Sequence, residues 1–593
     1  MTASERLPRV MDLTGPWFFQ PDPMDLGERE GWCGDAFDYI QCTFLRSQWK
    51  EVVVPGAYDL YDISMWSYEG VCWYAVELPA ASVQPDLWQR LRFNRVSIHA
   101  KVWLNGQPVG EHLGGYLPFE IAASPSLRPN GPNRLVVRVD NARRPEWLPG
   151  GQIVEWVQYG GILQPVQLIS TTPAYVSDVA IAAEPEGRGA LVNVRVEITN
   201  RGAHRFEGVV AVGAIEIRET LRISVGPGAT EAVRLQLLIP EARPWSPDSP
   251  VLFSAAVTLQ SGGQVLDSVE ERFGVRKIEV RDREILLNGR PLHLKGVNRY
   301  DEYAPYGPVV PEAIVRADLE HIKRVGCNLV RVHYPQDPLI LSLMDEIGLL
   351  FMEEVPLNWW AVNWFGDPPP IDDDAVIDAA ERALEDMVRR DKNHPCLIIW
   401  SMANECGTQT QVGASAMRRL MRRARELDTS RLITYVSAGD ARADPAYAEA
   451  DIVCNNVYYG VFGEGLAQHL ADMETRVAGP TEAHLRKVCE YYADKPVLIT
   501  EFGARSFVGQ RGDAPYTEDH HAAWLEAAWR GISAVPGVVG GVVWSWADYY
   551  HQRAFYGHNS PTVHGPFGVV GVERAPKPVV LAALARMFDG KAG

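Results

Sequence analysis

Apolar and polar positions alternate in short runs over the first half of the chain, and Gly, Pro and Asn cut the runs apart. The stretch "RLRFNRVSIHAKVWLNGQPVGEH" is typical: two strands, an Asn-Gly turn within "LNGQP", then another strand. Such a rhythm from Leu13 to about Thr172 predicts a β-sandwich of jelly-roll type over residues 1–172. It continues from about Pro173 to Val275 with "ALVNVRVEITNRG", "EGVVAVGAIEI", "EAVRLQLLIP" and "LFSAAVTLQSGG". About seven strands in about a hundred residues suit an immunoglobulin-like β-sandwich over 173–275.

After "RKIEVRDREILLNGRPLHLKGVNRYDE" the pattern changes to strand, helix, strand, helix. Apolar strand candidates fall at 292–298, 328–333, 349–355, 396–404, 432–437, 452–458, 496–501 and 540–546. Helix candidates such as "PEAIVRADLEHIKRVG" and "SAMRRLMRRARELD" lie between most of them. Eight such strands predict a (β/α)8 TIM barrel over residues 276–593, the third part of a multidomain chain. A doubly wound open sheet would need a glycine-rich phosphate turn after an early strand, and "VNRYDEY" is not one.

In such barrels the chemistry sits at the carboxyl ends of the strands. Those ends carry Asn298 and Arg299, Arg331 and His333, Glu353 and Glu354, Asn404 and Glu405, Tyr458, Glu501, and Trp544 with Asp548. The run "IIWSMANECG" is apolar as a doubly covered strand should be, yet it closes on an amide and a carboxylate, Asn404 and Glu405. "KPVLITEFG" closes on Glu501 in the same way. One glutamate at a strand end could be a salt-bridged rim residue. Two, on the fourth and seventh of eight strands, face each other across the ring. Paired carboxylates are the apparatus of glycoside hydrolysis: one protonates the leaving oxygen and the other attacks the anomeric carbon. Asn404 is placed to hydrogen-bond the sugar hydroxyl beside that carbon.

Together "WSMANE" and "TEFG" resemble glycoside hydrolase family two, the β-galactosidase, β-glucuronidase and β-mannosidase family. "KVWLNGQPVGEHLGGYLPFE" is similar to its sugar-binding jelly roll, "VRVHYPQDPLILSLMDEIGLLFMEEVP" to its second and third barrel strands, and "VVWSWADY" to its eighth. The resemblance implies Glu405 as acid/base and Glu501 as nucleophile of a retaining exo-β-glycosidase. It implies Arg331 and Tyr458 as partners of the nucleophile and His333 as a substrate contact. Trp544 would form the pocket floor, with a cis bond before Ser545. Glu354 would be a carboxylate near the sugar, with Glu353 its outward neighbour, and Glu155 in "EWVQYGGI" an acid from a jelly-roll loop. A homo-oligomer is usual in the family.

The resemblance breaks in one place. Glucuronidases carry an Asn-x-Lys pair after the eighth strand, the lysine meeting the sugar carboxylate. Aligning "HGPFGVVGVERAPKP" puts Gly565 and Phe567 there. A carboxylate entering among Glu155, Glu354, Glu405 and Glu501 would then meet mostly negative charge. A neutral sugar, galactose first, is therefore expected, with a uronic acid held by Arg553 or His564 as the alternative, and mannose or glucose behind. Nor does "LNWWAVNWFGDPPP" resemble the metal-ligating stretch of magnesium-dependent β-galactosidases, so neither metal nor cofactor is expected. Trp359, Trp360 and Trp364 in that stretch suit either an aglycone platform or packing. H-E-x-x-H, P-loop and G-x-S-x-G motifs are absent, and "GVVGGVVW" leads into a strand. Rival readings are a carbohydrate-binding protein without catalysis and a structural scaffold.

Bulk properties narrow the partners. A net charge of −18 disfavours nucleic acid and anionic membranes. Neither a signal-peptide core nor a membrane-length apolar run is present, so a cytoplasmic protein is expected. Eight scattered Cys without a C-x-x-C pair read as reduced thiols. Eighteen Trp and 22 Tyr offer the flat surfaces on which sugars stack.

Overall fold

A computed structural model describes residues 8–39, 43–44, 47–79, 82–149, 154–362, 373–555 and 562–589. The alternating N-terminal segments pair mainly into two antiparallel sheets. The first has four strands, ordered Arg9–Asp12, Val166–Thr171, Trp88–Phe93 and Phe119–Ala122. In the second, Val71–Leu78 and Asn133–Asp140 are central among six strands. Leu91, Phe93 and Leu168 of the first meet Tyr74, Val102 and Val137 of the second in one core. The far face of the six-stranded sheet is covered by Trp32 and Trp49 against Trp73 and Trp103. Covered on both sides, its central strands lose the solvent-facing half of their alternation. The "LNGQP" hairpin joins His99–Leu104 to Gln107–Leu113 through Asn105 and Gly106, both at positive φ (54° and 76°). Residues in that conformation match the twist of the paired strands.

The next strands pair as a three-stranded sheet (Ala174–Glu186, Gly189–Asn200, Thr230–Ile239) and a four-stranded sheet (Ile217–Val225, Phe206–Ala214, Phe253–Ser261, Gln264–Phe273). This is the immunoglobulin-like sandwich expected from the spacing.

The remainder closes into a barrel of eight parallel strands: β1 Leu294–Asn298, β2 Leu329–Arg331, β3 Leu350–Glu354, β4 Leu397–Asn404, β5 Leu432–Ala438, β6 Val453–Asn456, β7 Val497–Phe502 and β8 Val538–Val543. Helices follow β1 to β4 (α1 Glu312–Arg324, α2 Pro338–Ile347, α3 Asp373–Asp391, α4 Gln411–Leu427) and β6 to β8 (α5 Gly479–Tyr491, α6 Glu518–Ser533, α7 Pro578–Phe588). Every residue of β4 is buried, the mark of a strand wrapped by helices on one side and barrel interior on the other. The β5–β6 connection departs from strict alternation. Two 3-10 turns, Ala441–Ala443 and Pro445–Glu449, replace the helix. Asp440 caps the first turn through the Arg442 N–H, and Pro445 opens the second, so no helix propagates. Segments 144–149, 154–157 and 244–252 belong to the same compact unit as the barrel.

Glycines close the ring. Gly540 of β8 pairs with Leu294 of β1 at φ 148°, and a Cβ there would lie 1.9 Å from the Leu294 carbonyl oxygen. The "GVVGG" cluster thus serves strand contact. Gly540→Ala is expected to destabilise the barrel by about 2–4 kcal/mol through backbone strain and overpacking. Thermal unfolding checks this against Gly465→Ala, where nothing lies within 4 Å of the added carbon and no shift is expected.

Candidate active site

The site is organised around one buried arginine. Arg331, the last residue of β2, has no solvent exposure and distributes its guanidinium N–H groups over the ends of four other strands. Nη1 donates to Glu501 Oε1 of β7 (2.7 Å) and Asn298 Oδ1 of β1 (3.1 Å). Nη2 donates to Glu354 Oε2 of β3 and Asn404 Oδ1 of β4, both at 2.8 Å, and Nε adds a 3.3 Å bond to Glu354. Burial works against the cation, but the Glu354 and Glu501 charges outweigh it and hold the guanidinium protonated. Glu354 also accepts from the Ser401 hydroxyl (2.8 Å) and meets His333 Nδ1 (2.9 Å). Its burial is overcome by Arg331 and His333, which hold its carboxyl below the usual range.

Glu501 sits on the other side of this arginine. Its second oxygen accepts from the Tyr458 hydroxyl at 2.7 Å, and His333 Nε2 lies 3.6 Å from the first. Trp156 stacks on the His333 ring, with centroids 5.6 Å apart.

Glu405 follows β4 with φ 50°, a left-handed conformation that costs a side-chain-bearing residue of order 1–3 kcal/mol. Neighbouring backbone holds it there: Glu405 N–H bonds Val436 C=O, and Asn404 C=O accepts from Trp359 N–H. Each carboxylate oxygen receives one N–H, from Asn456 Nδ2 (2.7 Å) and Trp359 Nε1 (2.9 Å). Burial pushes the Glu405 carboxyl up to about 7, the Glu501 charge adds to the rise, and the two N–H bonds and Arg331 oppose it. The two glutamates thus occupy different electrostatic environments within one site.

Both line a single cavity of about 660 Å³. Glu155, Tyr458, Trp544 and Trp359 are also on its walls. Burial, with the Glu501 charge second, pushes the Glu155 carboxyl up to about 8; the Tyr300 hydroxyl donates to it at 3.2 Å. The Trp544–Ser545 bond is cis, and Trp544 Nε1 bonds the Tyr549 hydroxyl (3.1 Å). Asn404, Arg331, His333 and Glu354 are not among the wall residues; Arg331 and Asn404 bond the wall residues Glu501 and Asn456, His333 lies 3.6 Å from Glu501, and Glu354 bonds Arg331 and His333 behind them. The Asn404 amide already serves Arg331, Asn456 and Asn358.

Other strand-end residues face away. Glu353 pairs with Arg390 of α3 (3.4 Å), as its outward direction implied, Arg299 with Asp318 of α1 (3.5 Å), and Asp548 with Lys577 (2.8 Å). Trp360 is fully buried and Trp359 lines the cavity, so the tryptophan loop divides between packing and site; Trp364 lies outside the described residues. Arg553 is exposed, and neither it nor His564 is a wall residue; burial, then the Lys577 charge, lowers the proton affinity of His564. Phe567 does line the cavity, alongside Arg505, His484 and Phe462, three residues the strand-end reading passed over. Arg505 stands four positions after Glu501, where a search confined to the β8 loop does not look. Among the described residues no group of three His, Cys, Asp or Glu is arranged to hold a metal ion, and no helix is long and apolar enough to cross a membrane.

Comparison with known proteins agrees along the whole chain. Residues 278–587 match the TIM barrel domain of glycosyl hydrolases family 2, residues 174–276 match glycosyl hydrolases family 2 under that name alone, and residues 10–173 match its sugar binding domain. A β-glucuronidase of Paenibacillus borealis is 26% identical over 98% of this chain and 97% of its own. A family 2 β-galacturonidase of Eisenbergiella tayi, solved with galacturonate bound, superimposes with TM-score 0.85 at 25% identity, covering 99% of this chain and 98% of that one. A Ruminococcus gnavus β-glucuronidase in complex with D-glucaro 1,5-lactone gives TM-score 0.85 at 25% identity, with 98% coverage of both chains.

Because Arg331 satisfies two buried carboxylates, Arg331→Ala is expected to destabilise the barrel by about 3–5 kcal/mol. Tyr458→Phe removes one hydrogen bond and is expected to cost about 0.5–1.5 kcal/mol. Chemical denaturation of the two variants checks the contrast.

Proposed function

The chain belongs to glycosyl hydrolases family 2 and is a glycoside hydrolase, and we propose that it is a retaining exo-β-uronidase that releases a terminal hexuronic acid. The observation that carries the mechanism is that Glu405 and Glu501 line one cavity with unequal environments. Glu501, fixed by Arg331 and Tyr458, attacks the anomeric carbon, and a glycosyl ester forms as the bond to the leaving oxygen breaks. Glu405, protonated below about pH 7, gives its proton to that oxygen. Glu405 as carboxylate then takes a proton from water, the water attacks the same carbon, and Glu501 is released with the anomeric configuration retained. Asn404 lies off the cavity wall, and its amide, bonded to Arg331, Asn456 and Asn358, orients the Asn456 side chain that donates to Glu405.

The choice of a uronic acid replaces the expectation of galactose. Relatives over the full length include β-glucuronidases and a β-galacturonidase. The electrostatic objection also weakens when charges are placed in space. Of the four carboxylates counted in the sequence, Glu354 is off the cavity wall and paired with Arg331. Glu155 and Glu405 have raised proton affinity, so at pH 6 both are largely neutral. Glu501 is paired with Arg331. An incoming carboxylate meets far less negative charge than a count of residues suggests.

Aryl β-glucuronide, β-galacturonide and β-galactoside distinguish the sugars. Glu501→Ala is expected to lower kcat by at least about 10⁴-fold and to regain activity with azide, giving the inverted glycosyl azide. Glu405→Ala is expected to lose about 10²–10⁴-fold on substrates with poor leaving groups. Undiminished activity in either variant contradicts the mechanism. The acid must be protonated, so kcat/KM is expected to fall as pH rises through about 7. Trp359→Phe removes an N–H that favours the charged form of Glu405 and should move this alkaline limb to higher pH.

A further inference from the structure

We propose that Arg505 is the specificity-determining residue that receives the substrate's carboxylate, taking the place of the lysine supplied elsewhere in the family by the loop after β8. The proposal rests on the β-uronidase reading and names the group that makes it work. Among the described residues, Arg505 is the one arginine or lysine on the cavity wall, which it shares with Glu405 and Glu501. Among the described residues it has no carboxylate partner; its hydrogen bond goes from Nη1 to the Tyr516 hydroxyl (3.2 Å), and its buried Nε has no acceptor. A cation partly withdrawn from water without a counterion is unfavourable, and a substrate carboxylate supplies the missing charge.

Two aromatic rings hold the guanidinium in place. Its carbon lies 4.9 Å from the Phe462 centroid and 4.8 Å from that of Phe567, both wall residues. Flanking rings restrain a guanidinium through cation–π attraction while its N–H groups remain for acceptors, and Arg offers them in a fork that fits a carboxylate. Phe567 is the position to which the alignment assigns the family's lysine, so here that position supports a cation carried by another element. The companion asparagine position is closed as well: a Cβ on Gly565 would lie 2.5 Å from the Tyr549 ring. The other basic wall residue, His484, bonds Asn455 Oδ1 (2.9 Å), and burial lowers its proton affinity. Among the described residues, the fixed positive charge on the wall at neutral pH is therefore Arg505.

Steady-state kinetics of the wild type, Arg505→Gln and Arg505→Lys on 4-nitrophenyl β-D-glucuronide, β-D-galacturonide and β-D-galactoside test this, with thermal midpoints verifying folding. In Arg505→Gln the ratio of kcat/KM for the preferred uronide to that for the galactoside is expected to collapse by about 100-fold or more. Arg505→Lys should recover part of the ratio, because charge returns without the fork. A ratio unchanged within about threefold, or equal losses on charged and neutral sugars, would overturn the role of Arg505 while leaving the uronidase reading standing. A wild type that prefers the galactoside to both uronides would overturn the two together.

Discussion

The barrel mouth depends on a single buried cation. Arg331 offers five N–H groups from the end of β2, and acceptors from β1, β3, β4 and β7 converge on them. A guanidinium without exposure is tolerable only when its charge and its donors are both met, so the positions of Glu354, Asn404 and Glu501 are fixed by a shared electrostatic need. The constraint acts on the chemistry because one of those acceptors is the proposed nucleophile and another, Asn404, directly precedes the proposed acid/base.

The two different roles proposed for residues of the same type come from their surroundings. Glu501 has an arginine and a tyrosyl hydroxyl; Glu405 has an amide, an indole N–H and the field of Glu501. The left-handed backbone at Glu405 is a local cost borne at the site, with the surrounding backbone hydrogen bonds holding it in place. In the proposed mechanism the raised proton affinity of Glu405 is what lets it donate a proton from one side of the cavity while Glu501 attacks from the other.

Much of this was legible in the amino-acid order. The Asn-Gly hairpin, the eight apolar runs and the glutamates closing two of them follow from period, turn chemistry and burial, which are local properties. The helix missing between β5 and β6 was less visible, because Asp440 and Pro445 act through caps and restarts rather than through hydropathy. Charge was the hardest quantity to read. A list of glutamates cannot say which are paired, which are protonated and which face away. Glu354 and Arg331 cancel behind the wall, whereas Arg505, inconspicuous after "TEFGA", stands on it. Trp360 and Trp359 likewise look alike in sequence and differ only in where the loop turns them.

The central claim is that Glu501 forms a covalent bond to the sugar. It is tested most directly by trapping that species with 2-deoxy-2-fluoro-β-glucuronyl and β-galacturonyl fluorides, with the β-galactosyl analogue beside them. The C2 fluorine slows both displacements while the fluoride leaving group speeds the first, so the ester accumulates. Mass spectrometry of the digested protein should find one fluoroglycosyl unit on the peptide bearing Glu501, at that side chain. A label on Glu405 or on any other residue would contradict the assignment, as would steady turnover of the fluorides with no trapped ester.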